Sequence, residues 1–435
     1  MAFEIARFRG ALSDVSPVSH HGQVSQVVGL VIESDGPPCS VGQFCWLEVG
    51  DGTEVEAEVV GFRDGKVILM PLGPTTRIMP GTRVRPTGRA LEVPVGEGLV
   101  GRIVNGLGRP IDGLGGLDSS DYRPVDQPPP PALDRPIIDR VLPTGVRAVD
   151  GLLTAGEGQR LGIFAGAGVG KSVLMAMMAR FSAADVAVVG LIGERAREVA
   201  EFVTRDLGED GRKRSVVVVA TSDEPPLTRI RAAFTTLTIA ESFRDQGKRV
   251  LLLFDSLTRV ATAQREVGLS AGEPPTTRGY PPSAFTLLPR LLERAGTSPQ
   301  GSITGFFTVL VEGDDLSEPV ADAARSVLDG HIVLSRELAE SGIFPAIDVG
   351  RSLSRLMRQI VDGEHLERAQ EIRRLWSLYM DSQDLIRIGA YQRGTNPDVD
   401  RAVELRPRIL DFLRQSEREQ AAFGDTLSAL GAVVA

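Results

Sequence analysis

The stretch Ala165-Gly166-Ala167-Gly168-Val169-Gly170-Lys171-Ser172 decides the reading of this chain. A short apolar run, Arg160-Leu-Gly-Ile-Phe164, precedes it and reads as a strand. Val173-Leu-Met-Ala-Met-Met-Ala179 follows and reads as the opening of a buried helix. Strand, glycine loop and helix in that order form a phosphate cradle: the glycines let backbone N–H groups turn inward, and the helix N-terminus adds partial positive charge. The spacing matches G-x-x-x-x-G-K-[ST] except that Ala165 replaces the first glycine. Residues Ala165, Gly166, Ala167, Gly168, Val169, Gly170, Lys171 and Ser172 are therefore the candidate nucleotide-binding set. Lys171 would reach the β- and γ-phosphates and Ser172 would hold Mg²⁺. The competing reading, a chance Gly-rich turn, does not account for the flanking strand and helix.

Around this stretch the chain organises into different textures. At 435 residues it has room for about two or three domains, and 42% hydrophobic residues fit a soluble globular protein. The net charge of −9 argues against a nucleic-acid motor. Cys39 and Cys45 are not in C-x-x-C spacing and no histidine pair accompanies them, so core thiols are expected rather than a zinc site. No apolar run approaches the roughly 18 residues a membrane helix needs. The N-terminus carries an early acid and no signal-peptide apolar region, so a cytoplasmic protein is expected. Residues 1–13 read either as a short amphipathic helix or as a frayed terminus.

Residues 22–90 carry short strand runs (Val24–Ile32, Phe44–Val49, Glu54–Phe62, Lys66–Met70, Thr82–Pro86) broken by Gly, Pro and Asp. They predict a small antiparallel barrel or sandwich. Residues 105–143, rich in Gly and Pro, predict an extended connector wrapped on the next domain. Beyond Gly145, apolar β-branched runs alternate with helical patterns such as Leu227–Gln246, the mark of a parallel α/β core. Residues 361–435 hold helical patterns only, including Glu364–Tyr379 and Asp398–Glu419. The expected division is 1–21, 22–90, 91–360 and 361–435. The expected fold is α/β: a RecA-like parallel-sheet P-loop core with an N-terminal small β-barrel and a C-terminal helical domain.

Phosphoryl transfer further needs a metal-side acid, a positioned water and positive charge at the γ-phosphate. The run Lys248-Arg-Val-Leu-Leu-Leu-Phe-Asp255 is an apolar strand ending in an acid. Asp255 should sit at the C-terminal edge of the sheet, orienting the Mg²⁺ shell, unless it merely caps a helix. A second strand ends in Gly193-Glu194-Arg195. Glu194 could polarise the attacking water and Arg195 steady the phosphate or the glutamate. From spacing alone, an acid near a helix N-terminus is an equal reading of Glu194.

Several segments resemble a known family. Gly193-Glu-Arg-Ala-Arg-Glu-Val199 is similar to the catalytic-glutamate segment of the rotary ATP synthases. More closely, the chain resembles the type III protein-export ATPases of flagella and injectisomes. The resemblance is carried by Gly101–Gly113, Ala165–Ser172, Leu251–Arg259, Ala263–Leu269, Gly272-Glu-Pro-Pro275, Arg278-Gly-Tyr-Pro-Pro282, Val311-Glu-Gly-Asp-Asp315, Glu318–Asp322 and Phe344–Val349, spread over residues 22 to 400. It implies ATP hydrolysis with Mg²⁺ and a catalytic set of Glu194, Lys171, Arg195 and Arg355. Glu194 would be the general base, Ser172 and Asp255 would serve the metal, and Phe344 would stack on adenine. Arg355, in Ser352-Leu-Ser-Arg355, would be an arginine finger reaching a neighbouring subunit's nucleotide. Gly350 departs from the leucine common in the family without disturbing the Ser-x-Ser-Arg spacing.

A chain owning both Glu194 and Arg355 can complete every site with copies of itself, so a homohexameric ring is expected. The resemblance further implies a stator-like regulatory protein, a central stalk protein, export chaperones and cargo, and a membrane-embedded export gate as partners. It implies no nucleic acid, and a cytoplasmic position at the inner face of the membrane. Val27–Glu33 and the following Gly-Pro-Pro-Cys look more flagellar than injectisome-like. Two alternatives differ in class. A rotary synthase catalytic subunit would present an acidic stretch to its rotor, which Tyr379–Asn396 lacks. An RNA translocase would carry a basic, aromatic surface, which residues 22–90 lack.

Overall fold

The computed structural model describes residues 20–119, 121–311 and 317–434. The segment expected as a helix over residues 1–13, and residues 312–315 of the Val311–Asp315 motif, lie outside the described residues. The chain forms two compact units, residues 20–91 with 270–272, and the remainder from residue 92.

The first unit is a closed six-stranded antiparallel barrel. Its strands are β1 (Gly22–Val28), β2 (Val31–Asp35), β3 (Phe44–Glu48), β4 (Glu54–Arg63), β5 (Lys66–Pro71) and β6 (Arg83–Pro86), paired in the order β1-β2-β5-β4-β3-β6. Of the two architectures left open by the strand pattern, closure into a barrel removes the exposed edges a sandwich would keep. The run Val24–Ile32 is not one strand. Gly29 sits at φ +59°, where only glycine is unstrained, and folds it into the β1–β2 hairpin. Alternation along β4 sends Val55, Ala57 and Val59 into the barrel with Ile32, Leu47 and Leu69.

The second unit is built on a mostly parallel sheet. It begins with β7 (Glu92–Val95) and β8 (Ile103–Asn105), then β9 (Asp121–Pro124), which pairs with β7 away from the main sheet. β10 (Arg160–Ala165) leads through the glycine loop into α1 (Lys171–Phe181). β11 (Val186–Glu194), β12 (Ser215–Thr221), α2 (Pro226–Asp245), β13 (Arg249–Asp255), α3 (Leu257–Ala271) and α4 (Pro282–Leu292) follow. β14 (Gly296–Thr297) pairs back on β15 (Ser302–Leu310), and β16 (Gly330–Val333) and β17 (Leu353–Ser354) complete the sheet. Its order is β17-β16-β10-β15-β13-β11-β12-β8. All of these pair in parallel except β17, which runs antiparallel on β16.

β11 and β12 are buried on both faces, as near-continuous Val, Ile and Ala runs require. α2 is buried almost all round, covering one face of the sheet, and so carries no polar stripe. The Pro-rich connector over residues 105–143 contributes little regular structure beyond β9. It is held down by side chains: Arg294 Nη1 donates to the Val125 carbonyl at 2.7 Å, and Arg135 Nη2 to that of Glu293 at 2.6 Å.

Three helices close the chain: α5 (Gly363–Arg387), α6 (Pro397–Leu413) and α7 (Phe423–Val434). Asp362 and Asn396 cap the first two through their side chains. α6 stops six residues short of the expected Glu419. There the chain is drawn out of helix by Gln415, whose N–H donates to the Phe344 carbonyl at 2.9 Å and whose Nε2 donates to that of Gly145 at 2.8 Å. Ala369, Ile372, Leu375 and Trp376 of α5 join the same hydrophobic core as the sheet.

One buried ion pair ties the layers together. Arg294, fully buried, makes a two-pronged contact with Glu241 (2.8 and 2.5 Å) and also bonds Thr238 Oγ1. Removing one partner of such a pair leaves an uncompensated charge, at a cost of about 3–5 kcal/mol. Glu241→Ala should therefore lower the urea unfolding midpoint by that equivalent, and an unchanged midpoint would contradict the role given to the pair.

Candidate active site

The sheet order determines what meets at its C-terminal edge. The glycine loop follows β10, Asp255 ends β13 and Glu194 ends β11, and only β15 separates β10 from β13. Parallel pairing brings these ends level. Gly168 and Gly170 lie at φ +77° and +92°, conformations that let the loop curl over its own backbone amides. α1 starts at Lys171 with Gly170 as its cap residue and no capping side chain, so its first N–H groups face the cavity as an anion site.

Lys171 is the hub. Its Nζ lies 2.6 Å from Asp255 Oδ1 and 3.3 Å from Glu194 Oε1. The Lys171 and Glu194 side chains are each 11% exposed and that of Asp255 3%, so the three charges interact in a water-poor setting. Burial alone would push the Lys171 ammonium down. Asp255 and Glu194 outweigh it and hold the lysine above its ordinary value. Thr308, on β15 between β10 and β13, donates from Oγ1 at 2.6 Å to the same Asp255 Oδ1 that Lys171 contacts.

A cavity of about 340 Å³ opens beside this cluster. Gly166, Ala167, Gly168, Gly170, Lys171, Ser172 and Glu194 line it. Ala165 and Val169 do not: their side chains are packed in the hydrophobic core, and only their backbone belongs to the loop. Ser172 and Asp255 supply oxygen donors of the kind a hard divalent cation takes. Arg195 also lines the cavity, but it is 77% exposed and leans toward Glu198, at 3.7 Å, rather than toward Glu194. Phe344 stands half-exposed beside the loop, with a ring carbon 3.6 Å from where a Cβ on Gly170 would lie.

Two contributors were not singled out from sequence. Thr308 gives no local signal, because its value comes from strand register. Arg259, at the end of the Leu251–Arg259 motif, lines the same cavity with its Nε buried and unpaired among the described residues. A buried guanidinium N–H with no partner is a ready donor to an anion.

Arg355 lies elsewhere. Its N–H donates to the Asp329 carbonyl at 3.0 Å, and the Asp329 N–H to that of Arg160 at 2.8 Å. Arg160 begins β10 and Ala165 ends it. At about 3.3 Å per residue, Arg355 is roughly 17 Å along the strand from its own phosphate loop, on the opposite edge of the sheet. Its side chain is exposed there.

A parallel sheet ending in a Gly-Lys-Ser loop, with a buried lysine between two strand-end carboxylates, defines a P-loop nucleotide-binding domain. Its detailed kinship follows from similarity. Residues 145–354 match the nucleotide-binding domain of the ATP synthase alpha/beta family, residues 24–88 its beta-barrel domain, and residues 361–432 the T3SS EscN ATPase C-terminal domain. The chain is 50% identical over 414 residues to the flagellum-specific ATP synthase of Bacillus subtilis, covering 94% of each. It is also 50% identical over 414 residues to the type 3 secretion system ATPase of Xanthomonas euvesicatoria, covering 95% of this chain and 94% of that one. The assembled ATPase EscN of the enteropathogenic E. coli type III secretion system superposes with a TM-score of 0.90 at 44% identity, over 95% of this chain and all of that one. The same ATPase in complex with its central stalk EscO gives 0.88 at 44% identity, again over 95% of this chain and all of that one. The chain belongs to the ATP synthase alpha/beta family, within its branch of flagellar and type 3 secretion ATPases.

Thr308→Val deletes a hydrogen bond to a buried carboxylate. The expected loss is about 1–3 kcal/mol of stability, measured by urea unfolding. Stability equal to wild type would show that Thr308 does not hold Asp255.

Proposed function

We propose that this chain hydrolyses MgATP in a homohexameric ring and that hydrolysis assists protein export by a type III apparatus, the flagellar one foremost. The observation that carries this is the Lys171–Asp255–Glu194 cluster at the mouth of the phosphate cradle, with Arg355 held at the far edge of the same sheet.

In this reading the loop amides and Lys171 bind the β- and γ-phosphates, and Phe344 stacks on the adenine. Ser172 and Asp255 would hold Mg²⁺, which would supply positive charge at the phosphate oxygens. Glu194 orients a water in line with the γ-phosphorus and accepts its proton as the new P–O bond forms and the bond to the β-phosphate oxygen breaks. Arg259 and Arg195 add positive charge at the cavity wall. Arg355 cannot reach the loop of its own copy and acts on the nucleotide of the next one. The ring, contact with a central stalk and with a stator-like regulator, delivery of chaperoned cargo and a post at the inner membrane face are proposed by analogy with the family. In support, the described residues contain no helix long and apolar enough to cross a membrane. The EscN relative has been seen assembled and bound to its stalk.

The test is ATPase activity of the purified chain as a function of protein concentration, with and without RNA. Specific activity should rise with concentration as rings form and should ignore RNA; dependence on RNA would overturn the export reading. Glu194→Gln should keep ATP binding while kcat falls about 10²–10⁴-fold. Turnover at the wild-type rate would remove Glu194 from the base role.

A further inference from the structure

The loop that presents Arg355 is gripped from outside the sheet. Arg373 projects from α5, and its Nε donates to the Val349 carbonyl at 3.0 Å while its Nη2 donates to that of Ser352. These carbonyls bracket Gly350 and Arg351, just ahead of the finger. Among the described residues no carboxylate pairs with Arg373. Burial holds its pKa below the usual arginine value, and nearby Arg358 adds to the depression. A half-buried guanidinium spent on two backbone carbonyls is an unusual use of charge, and it aims at one loop only.

The rest of the loop is anchored to the sheet itself. Ser352 Oγ donates to the Asp348 carbonyl at 2.6 Å and accepts from the Val333 N–H of β16 at 2.9 Å. Asp348 Oδ1 accepts from the Gly350 and Arg351 N–H groups at 3.1 and 3.2 Å. Gly350 supplies an independent sign that α5 and the loop are closely fitted. A Cβ there would lie 2.8 Å from Ser377 Oγ of α5, close enough that the serine hydroxyl or the loop would have to shift, although the Gly350 backbone itself is not in a glycine-only conformation. The departure from leucine at this position thus coincides with close helix–loop contact.

We infer that Arg373 is a positioning residue for the shared site: it pins the Asp348–Arg355 loop to α5, so that the C-terminal helices set where Arg355 meets the neighbouring copy's nucleotide. This rests on the reading of Arg355 as a finger acting in trans. Displacing α5 by a turn of packing would then alter hydrolysis next door while leaving the phosphate loop of the same copy untouched.

The experiment compares full-length Arg373→Met, Arg355→Ala and Lys171→Ala, alone and in mixtures, in a steady-state ATPase assay. A misplacement near 1 Å can cost about a hundredfold in rate, so Arg373→Met should lower kcat roughly ten- to a hundredfold with KM for ATP unchanged. Mixed with Lys171→Ala, which brings an intact finger, it should regain activity. Mixed with Arg355→Ala it should not, because both lack a working finger. Recovery in that second mixture would assign Arg373 to assembly or folding and overturn the inference. So would wild-type kcat for Arg373→Met where Arg355→Ala is inactive. Full activity of Arg355→Ala would instead overturn the finger reading beneath it. Should Arg373→Met fail to fold, Gly350→Ala probes the same contact by crowding the loop against Ser377 of α5. It should show the same kcat loss and mixing pattern, and a folded Gly350→Ala with wild-type kcat would count against the inference.

Discussion

Three charges in a nearly dry pocket set the terms for the rest of this molecule. Lys171 lies between Asp255 and Glu194; burial pushes the Asp255 carboxyl up from its ordinary value, and the lysine charge opposes that rise. The parallel sheet exists, in functional terms, to deliver these groups from three different strands to one edge. β15 lies in the middle and contributes Thr308, which is why a strand with no catalytic residue still shapes the site.

The same sheet imposes the opposite result on Arg355. β17 is antiparallel, and its end falls at the start of β10 rather than at its loop. One strand length therefore separates the finger from the cradle within a copy. In the proposed ring of identical copies, a head-to-tail interface would set one edge of each sheet against the other edge of its neighbour and so join Arg355 to the next copy's cradle. Arg373 bonds the Val349 and Ser352 carbonyls ahead of Arg355, and this contact is the basis for the proposal that the C-terminal helices govern that junction.

Much of this was legible in the sequence, and the reasons are physical. Gly-Lys-Ser after an apolar strand, and an acid closing another, are local patterns whose consequences are fixed by sheet geometry. The strand runs of residues 22–90 were legible too, but their closure was not, since barrel and sandwich share one alternation. Val24–Ile32 hid a hairpin because strand-type residues flank Gly29 directly on both sides, Val27-Val28 before it and Leu30-Val31-Ile32 after. The early end of α6 was invisible for a different reason: Gln415 leaves the helix for partners at Phe344 and Gly145, far away in sequence. Thr308 and Arg373 act through register and tertiary contact, and no spacing rule points to either.

The central claim is that each hydrolytic site is built by two copies of the chain, one giving Lys171 and Glu194, the other Arg355. The most direct measurement is the ATPase activity of an equimolar mixture of Lys171→Ala and Arg355→Ala, each inactive alone. In randomly mixed rings about a quarter of the sites join an intact loop to an intact finger, so activity near a quarter of wild type is predicted. Activity no greater than the sum of the two separate variants would contradict a shared site.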